Sequence, residues 1–285
     1  VALTSSISAS QVALGPHEFD IATRALVMGI LNRTPDSFYD QGANFAFDKF
    51  LEKASDHVDA GADLLDVGGV KAGPGEEVSE AEELDRVVGA IEAITARFDV
   101  PVSVDTWRAS VAEASYQVGA VVGNDISGFG DPDYLRVAAA AGASVVATHI
   151  RLRPRVADPN PNYDDVVDSV REFLLERATQ ALEAGIPRER IIVDAGLDLG
   201  KNAAQSLDLL RNSAQLADLG FPLLLSSSNK TCLGVLLDLE VHERKEASLA
   251  ASAIGILRGC RVLRVHDVAG TVAVRNTMDR VLSAP

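Results

Sequence analysis

A (β/α)8 TIM barrel is the fold this sequence predicts, and three observations carry it. Eight apolar, β-branched runs each stop abruptly at a polar side chain, helix-like segments alternate with them, and the 285 residues slightly exceed the roughly 250 typical of such a barrel. Parallel strands buried on both faces read as continuous apolar runs, joined by crossover helices. The first run, ALVMGIL, ends at Asn32; the second, LL, at Asp66; the third, VSV, at Asp105; the fourth, VVG, at Asn124 and Asp125. The fifth, SVVA, stops at Thr148 and His149, the sixth, IIV, at Asp194, the seventh, PLLL, at Ser226, and the eighth, VLRV, at His266 and Asp267. In a closed barrel the C-terminal strand ends converge on one face, so these polar stops are expected to share one pocket.

The intervening helices follow from spacing. Ser79 and Glu82 form a capping-box pair, after which Leu84, Val87, Val88, Ile91 and Ile94 recur at helical intervals. After Asn162 and Tyr163, the series Val166, Val167, Val170, Phe173, Leu174, Ala178, Ala181 and Leu182 predicts a longer helix over the fifth and sixth strands, stopped near Gly185 and Pro187. Leu249, Ala250, Ala253, Ile254 and Leu257 make a face of mainly small and aliphatic residues suited to close packing on the barrel or a partner subunit. Residues 1–20 read as a flexible N-terminal tail and 21–285 as a single barrel domain.

Composition narrows the function. With 47% apolar residues and no stretch approaching the ~20 of a membrane span, the chain is expected to bury a large core and to lie in the cytoplasm. The start lacks the basic and apolar regions of a signal peptide. Cys232 and Cys260 are too few for a disulfide framework and read as thiols. A net charge of −15 argues against nucleic acid and anionic membrane, and for a small-molecule ligand.

Chemistry is expected at the strand ends, and there the motifs become specific. The first loop reads MGILNRTPDSFYDQG from Met28 to Gly42. It is followed by DVGG at Asp66–Gly69, SVDT at Ser103–Thr106, NDISG at Asn124–Gly128 and His149. Then come D-x-G-x-x-x-G-K from Asp194 to Lys201, S-x-K at Ser228–Lys230 and RVHDV at Arg264–Val268. In this order, over nearly the whole chain, they resemble the dihydropteroate synthase family, whose first loop is typically L-N-V-T-P-D-S-F-S-D-G-G.

That resemblance implies a (β/α)8 barrel joining 4-aminobenzoate to 6-hydroxymethyl-7,8-dihydropterin pyrophosphate, with Mg²⁺ assisting departure of pyrophosphate. It further implies that Asp105, Asn124, Asp194 and Lys230 bind the pterin, and that Arg264 stacks on it and faces the pyrophosphate. His266 and the Mg²⁺ ligand Asn32 are then expected on the phosphate side, with Lys230, Arg264 and His266 as the catalytic set. The residue types suit these roles. A carboxylate accepts from a 2-amino and ring N–H edge, an amide both donates and accepts, and Mg²⁺ prefers amide and phosphate oxygens. A homodimer through outer helices is implied as well, as is an aminobenzoate pocket open to sulfonamide-like ligands.

The departures from the family pattern carry equal weight. Where the family reads G-G-E-S-T-R-P-G, this chain has Gly68, Gly69, Val70, Lys71, Ala72, Gly73, Pro74 and Gly75, so the Ser, Thr and Arg are gone. The usual S-R-K has become Ser228, Asn229 and Lys230. In the D-P-G-I-G-F-G-K loop, Ala195 replaces Pro, Asp198 a Gly and Leu199 the aromatic, while Arg33 replaces an apolar residue in the first loop. A charge-assisted hydrogen bond is worth roughly 1.5–3 kcal/mol. Losing two during leaving-group departure slows the reaction by about 10²–10⁴, unless Lys71, Arg33 or the Arg151, Arg153 and Arg155 series compensates. The expectation is a retained pterin pocket in a protein inactive or strongly impaired as a synthase. The alternatives are an active synthase with compensated loops, a pterin-dependent methyltransferase barrel and a non-catalytic binder of another anion.

Simpler readings stand beside these. Asp66 and Asp125 fit helix capping as well as a site, His149 reads as a satisfied core or loop histidine, and the alternating arginines read as a solvated surface. Gly68–Gly75 by itself is a weak phosphate-loop signal, because no Gly-Lys-Ser or Gly-Lys-Thr ends it.

Overall fold

The computed structural model describes residues 9–33 and 43–284; the Thr-Pro-Asp-Ser stretch of the first loop, where a turn is expected, and the first eight residues of the expected tail lie outside them. The described chain opens with an antiparallel hairpin, β1 (Gln11–Leu14) and β2 (His17–Asp20), turning at Gly15 with φ +58°. This corrects the expected tail over residues 11–20. Val12, Leu14 and Ile21 are buried against Leu26, Met28, Leu64, Val122, Val146, Ile192, Leu224 and Val262. The Ser144 hydroxyl donates to Ala13 O at 2.7 Å and accepts from the Gly15 N–H at 3.0 Å. The hairpin thus plugs the N-terminal end of the barrel, opposite the expected site. Leu14→Ala, at a fully buried position, is expected to lower stability by about 2–5 kcal/mol in chemical denaturation, whereas a frayed segment predicts no change.

The barrel strands are β3 (Leu26–Asn32), β4 (Leu64–Gly68), β5 (Val102–Asp105), β6 (Val122–Asp125), β7 (Ser144–Thr148), β8 (Ile191–Asp194), β9 (Leu223–Leu225) and β10 (Cys260–Val265). They close in the order β10-β3-β4-β5-β6-β7-β8-β9, each pair parallel. The apolar runs therefore form the strands, and their polar stops lie at or just beyond the C-terminal ends. Asp66 alone sits deeper, at the middle of β4 and wholly buried.

Around the barrel run α1 (Ala43–Asp59), α2 (Glu80–Thr95), α3 (Ala109–Gln117), α4 (Tyr134–Ala140), α5 (Val166–Glu183), α6 (Ala203–Arg211), α7 (Ser213–Ala217), α8 (Thr231–Leu237), α9 (Lys245–Leu257) and α10 (Val268–Ser283). Only half of the expected capping box opens α2. Ser79 Oγ accepts from the Glu82 N–H at 3.2 Å, while the Glu82 carboxylate pairs with Arg86 one turn on. The reciprocal box occurs instead at Asn202 and Gln205, before α6. Helix α5 packs on β7 and β8 as the spacing predicts. On α9 the buried face is Ser248, Ala251, Ser252, Gly255 and Ile256, a register offset from the expected one, and Ile254 points outward. A side chain at Gly255 would strike Leu225, which fixes that register. Both cysteines are free and buried, and burial pushes each thiol up to about 12.

Candidate functional site

Parallel register brings the sequence-predicted residues together at the C-terminal mouth. Asp105 lies opposite Gly68 on one side and Asn124 on the other, and Arg264 is the next-to-last residue of β10. Arg264 is the hub. Its Nε donates to Asp66 Oδ2 at 2.6 Å and its Nη2 to Asp105 Oδ2 at 2.7 Å. Asn124 Nδ2 donates to both oxygens of Asp66, at 3.2 and 3.4 Å. Asp66 is therefore no helix cap: it anchors the arginine and the amide from below. Asp125 caps no helix either: it accepts from the Ser127 and Phe129 N–H groups at 2.6 and 2.9 Å and fixes the turn after β6.

Electrostatics derive from enclosure. Burial raises the Asp105 carboxyl to about 7 against the opposing pull of Arg264. Burial alone would lower the Arg264 guanidinium, but Asp66 and Asp105 raise it above its ordinary value. Asp194, at the end of β8, accepts from the Gly196 N–H at 2.8 Å; burial raises it, and Lys230, Arg264 and Lys201 oppose that rise. Lys230 is half-buried immediately before α8. Ser228 Oγ accepts from the His266 backbone N–H at 3.2 Å and lies 3.0 Å from His266 Nδ1. The Ser228 hydroxyl can donate to Nδ1 of the neutral ring in its Nε2–H tautomer. Desolvation, followed by Arg264, lowers the His266 imidazole and favours that neutral form.

Several functional side chains carry weak signals in the sequence. Lys201 Nζ donates to Gly196 O at 2.9 Å, Leu199 O at 3.0 Å and His149 O at 3.3 Å, and lies 2.8 Å from His149 Nδ1. It fastens the loop after β8 to the loop after β7, and its signal is the closing Lys of D-x-G-x-x-x-G-K. His149 is then the satisfied loop histidine that was expected, driven down to about 3 by burial and next by Lys201.

The arginine series does not form a uniform surface. Arg151 pairs with Asp158 at 2.7 Å. Arg155, at φ +67°, donates from Nη1 to Lys71 O at 2.9 Å, from Nη2 to Glu76 O, and from its backbone N–H to Ala72 O at 3.3 Å. The loop after β4 is thereby clasped to the loop after β7. Arg33 lays its guanidinium 5.2 Å from the Phe47 ring centre and 5.4 Å from that of Phe50, over α1.

Asn32 is half-buried at the end of β3. Among the described residues no group of three His, Cys, Asp or Glu side chains is placed to hold a metal ion. One amide oxygen fits only a magnesium ion that brings phosphate and water oxygens with it.

An arginine braced by two carboxylates, with an amide, a third carboxylate and a lysine at the same barrel mouth, defines a ligand-binding (β/α)8 protein. The family described as pterin binding enzymes matches residues 28–266, and the chain belongs to that family. It is 42% identical over 266 residues to the inactive dihydropteroate synthase 2 of Mycobacterium tuberculosis H37Rv, covering 91% of this chain and 83% of that one. It is 41% identical over 258 residues to the dihydropteroate synthase of Clostridium beijerinckii, covering 90% and 93%. The dihydropteroate synthase of Xanthomonas albilineans, solved with 4-aminobenzoic acid, superposes with a TM-score of 0.90 at 36% identity over 97% of this chain and 100% of that one. The chain is a divergent dihydropteroate synthase homologue with a pterin-binding fold.

Proposed function

We propose that this protein binds a pterin-type small molecule and is inactive or strongly impaired in joining 4-aminobenzoate to 6-hydroxymethyl-7,8-dihydropterin pyrophosphate. One contrast carries the reading. The polar floor of Arg264, Asp66, Asp105 and Asn124 is held together by hydrogen bonds among its own side chains, whereas the loop after β4 has lost its Ser, Thr and Arg and is held by its carbonyls to Arg155. The inactive mycobacterial relative supports the same conclusion.

In this reading Asp105, Asn124 and Asp194 meet the donor edge of the pterin, Lys230 supplies a donor beside Asp194, and Arg264 covers the ring and faces the leaving pyrophosphate. His266, neutral and oriented by Ser228, offers Nε2–H on the phosphate side. Asn32 contributes one oxygen to a Mg²⁺ ion, which when bound neutralises pyrophosphate charge. None of these side chains needs to move far, because the strand ends already converge.

The test is steady-state pyrophosphate release in saturating Mg²⁺, with and without 4-aminobenzoate, beside calorimetry with 6-hydroxymethylpterin. Binding without release is expected; aminobenzoate-dependent turnover near roughly one per second would overturn the impairment. The second reading, an active synthase with compensated loops, is favoured by the near-equal identity to the Clostridium enzyme and is the outcome which that turnover would establish.

Asp194→Ala and Lys230→Ala are each expected to weaken pterin binding by about 10- to 150-fold, the equivalent of one charge-assisted hydrogen bond. Unchanged calorimetric affinity would remove the pocket assignment.

A homodimer belongs to the same proposal. Val235, Leu236, Leu237 and Val241 are each more than half exposed on and just after α8, which makes an apolar surface that a second copy would cover. Leu237→Glu is expected to convert a dimer to a monomer in sedimentation equilibrium, and an unaltered mass would place the interface elsewhere. A cytoplasmic location belongs to the same proposal, and two free, buried thiols are compatible with it.

A further inference from the structure

The turn after β8 holds a carboxylate where the backbone resists most side chains. Asp198 adopts φ +65°, a left-handed conformation that, glycine apart, mainly Asn and Asp tolerate, and the family pattern has glycine there. Its contacts explain why the conformation persists. Oδ2 accepts from the Thr231 N–H at 2.6 Å and, more weakly, from the Cys232 N–H at 3.4 Å. On the other oxygen, Oδ1 accepts from the Ser206 hydroxyl at 3.2 Å, while the Asp198 N–H donates back to that same Oγ at 3.1 Å. Thr231 and Cys232 directly follow Lys230. The side chain therefore places a fixed negative charge beside the lysine that borders the pterin pocket, and it saturates the two adjacent amides.

We propose that Asp198 is a specificity-determining residue: its resident carboxylate turns carboxylate-bearing co-ligands away from the space beside Lys230 and leaves that space to neutral ones. Lys201 feels the Asp198 charge, after burial and Asp194, but its ammonium is turned to other acceptors. Lys201 is buried among three carbonyl oxygens and His149 Nδ1, and Arg155 is spent on the loop after β4. A second carboxylate about 5 Å away in a partly solvated mouth is disfavoured by roughly tenfold to a hundredfold. The inference rests on the pterin reading for its location and predicts a ratio that the pterin reading does not.

The experiment titrates 4-aminobenzoate and its neutral analogue 4-aminobenzamide into the full chain, with 6-hydroxymethylpterin present, for the unaltered protein, Asp198→Asn and Asp198→Gly. The unaltered protein is expected to bind the amide at least as tightly as the carboxylate. Both variants should shift the carboxylate-to-amide affinity ratio toward the carboxylate by tenfold or more, with Asp198→Asn retaining the left-handed turn and the fold. A preference of the unaltered protein for the carboxylate, a ratio unchanged in both folded variants, or no binding of either probe to any of the three would overturn the proposal. Absence of pterin binding in the same series would overturn the pterin reading alone, because the ratio is also measured with pterin omitted.

Discussion

Arg264→Ala is expected to lower stability by about 3–5 kcal/mol at pH 8, the penalty for leaving a buried ion pair half-made. Asp66 is wholly buried, and without the guanidinium its side chain keeps only Asn124 as a bonded partner among the described residues. Asp105 loses the cation that lowers it, so its carboxyl rises further above the value of about 7 set chiefly by burial. That rise fixes the sign of the pH dependence. A carboxyl raised in the folded state binds its proton there at a pH where the unfolded chain has already released it, so stability increases as pH falls through the raised value toward the ordinary carboxylate range. The deficit of the variant should therefore shrink between pH 8 and pH 5. Urea denaturation at both pH values reads this directly. Arg264→Lys should recover part of the loss, since a point charge replaces one contact of a two-pronged fork. A variant within 1 kcal/mol of the unaltered protein at pH 8 would show that Asp66 is not held by this pair.

The construction of parallel barrels decides which parts of this fold are legible in its sequence. Strands buried on both faces leave continuous apolar runs, so β3 to β10 can be read in order, and their polar ends name Asn32, Asp105, Asn124, Asp194 and His266 before any contact is known. Contacts between distant elements are harder to read. Asp66 and Arg264 are 198 residues apart, and a carboxylate inside a short LL run looks like a cap until closure brings β10 beside β3 and near β4. Arg155 alternates with Arg151 and Arg153 as a solvated strand would. Only the approach of two loops 79 to 84 residues apart gives it the carbonyls of Lys71 and Glu76. The hairpin of β1 and β2 is hidden for another reason. Its strands have four residues each, too short for a periodic signal, and their apolar side chains gain a partner only from the barrel end they plug.

Restoring the family's side chains through Lys71→Ser, Ala72→Thr, Gly73→Arg and Asn229→Arg together is expected to raise aminobenzoate-dependent pyrophosphate release by about 10²-fold or more. Two regained charge-assisted hydrogen bonds supply roughly 3–6 kcal/mol if they form as the leaving group departs. The structure adds a condition that the sequence does not contain. The loop to be rebuilt is fastened by the Arg155 side chain through the carbonyls of Lys71 and Glu76, so new side chains on it act only if the backbone is released to approach the phosphate. Adding Arg155→Ala to the quadruple variant should therefore raise turnover further, while Arg155→Ala alone, freeing a loop with no donors to deliver, should leave turnover near background. If the quadruple and quintuple variants fold, bind pterin and still release no pyrophosphate, the missing donors are not what limits this barrel. If Arg155→Ala alone restores turnover, the loop's position rather than its side chains is the limiting element.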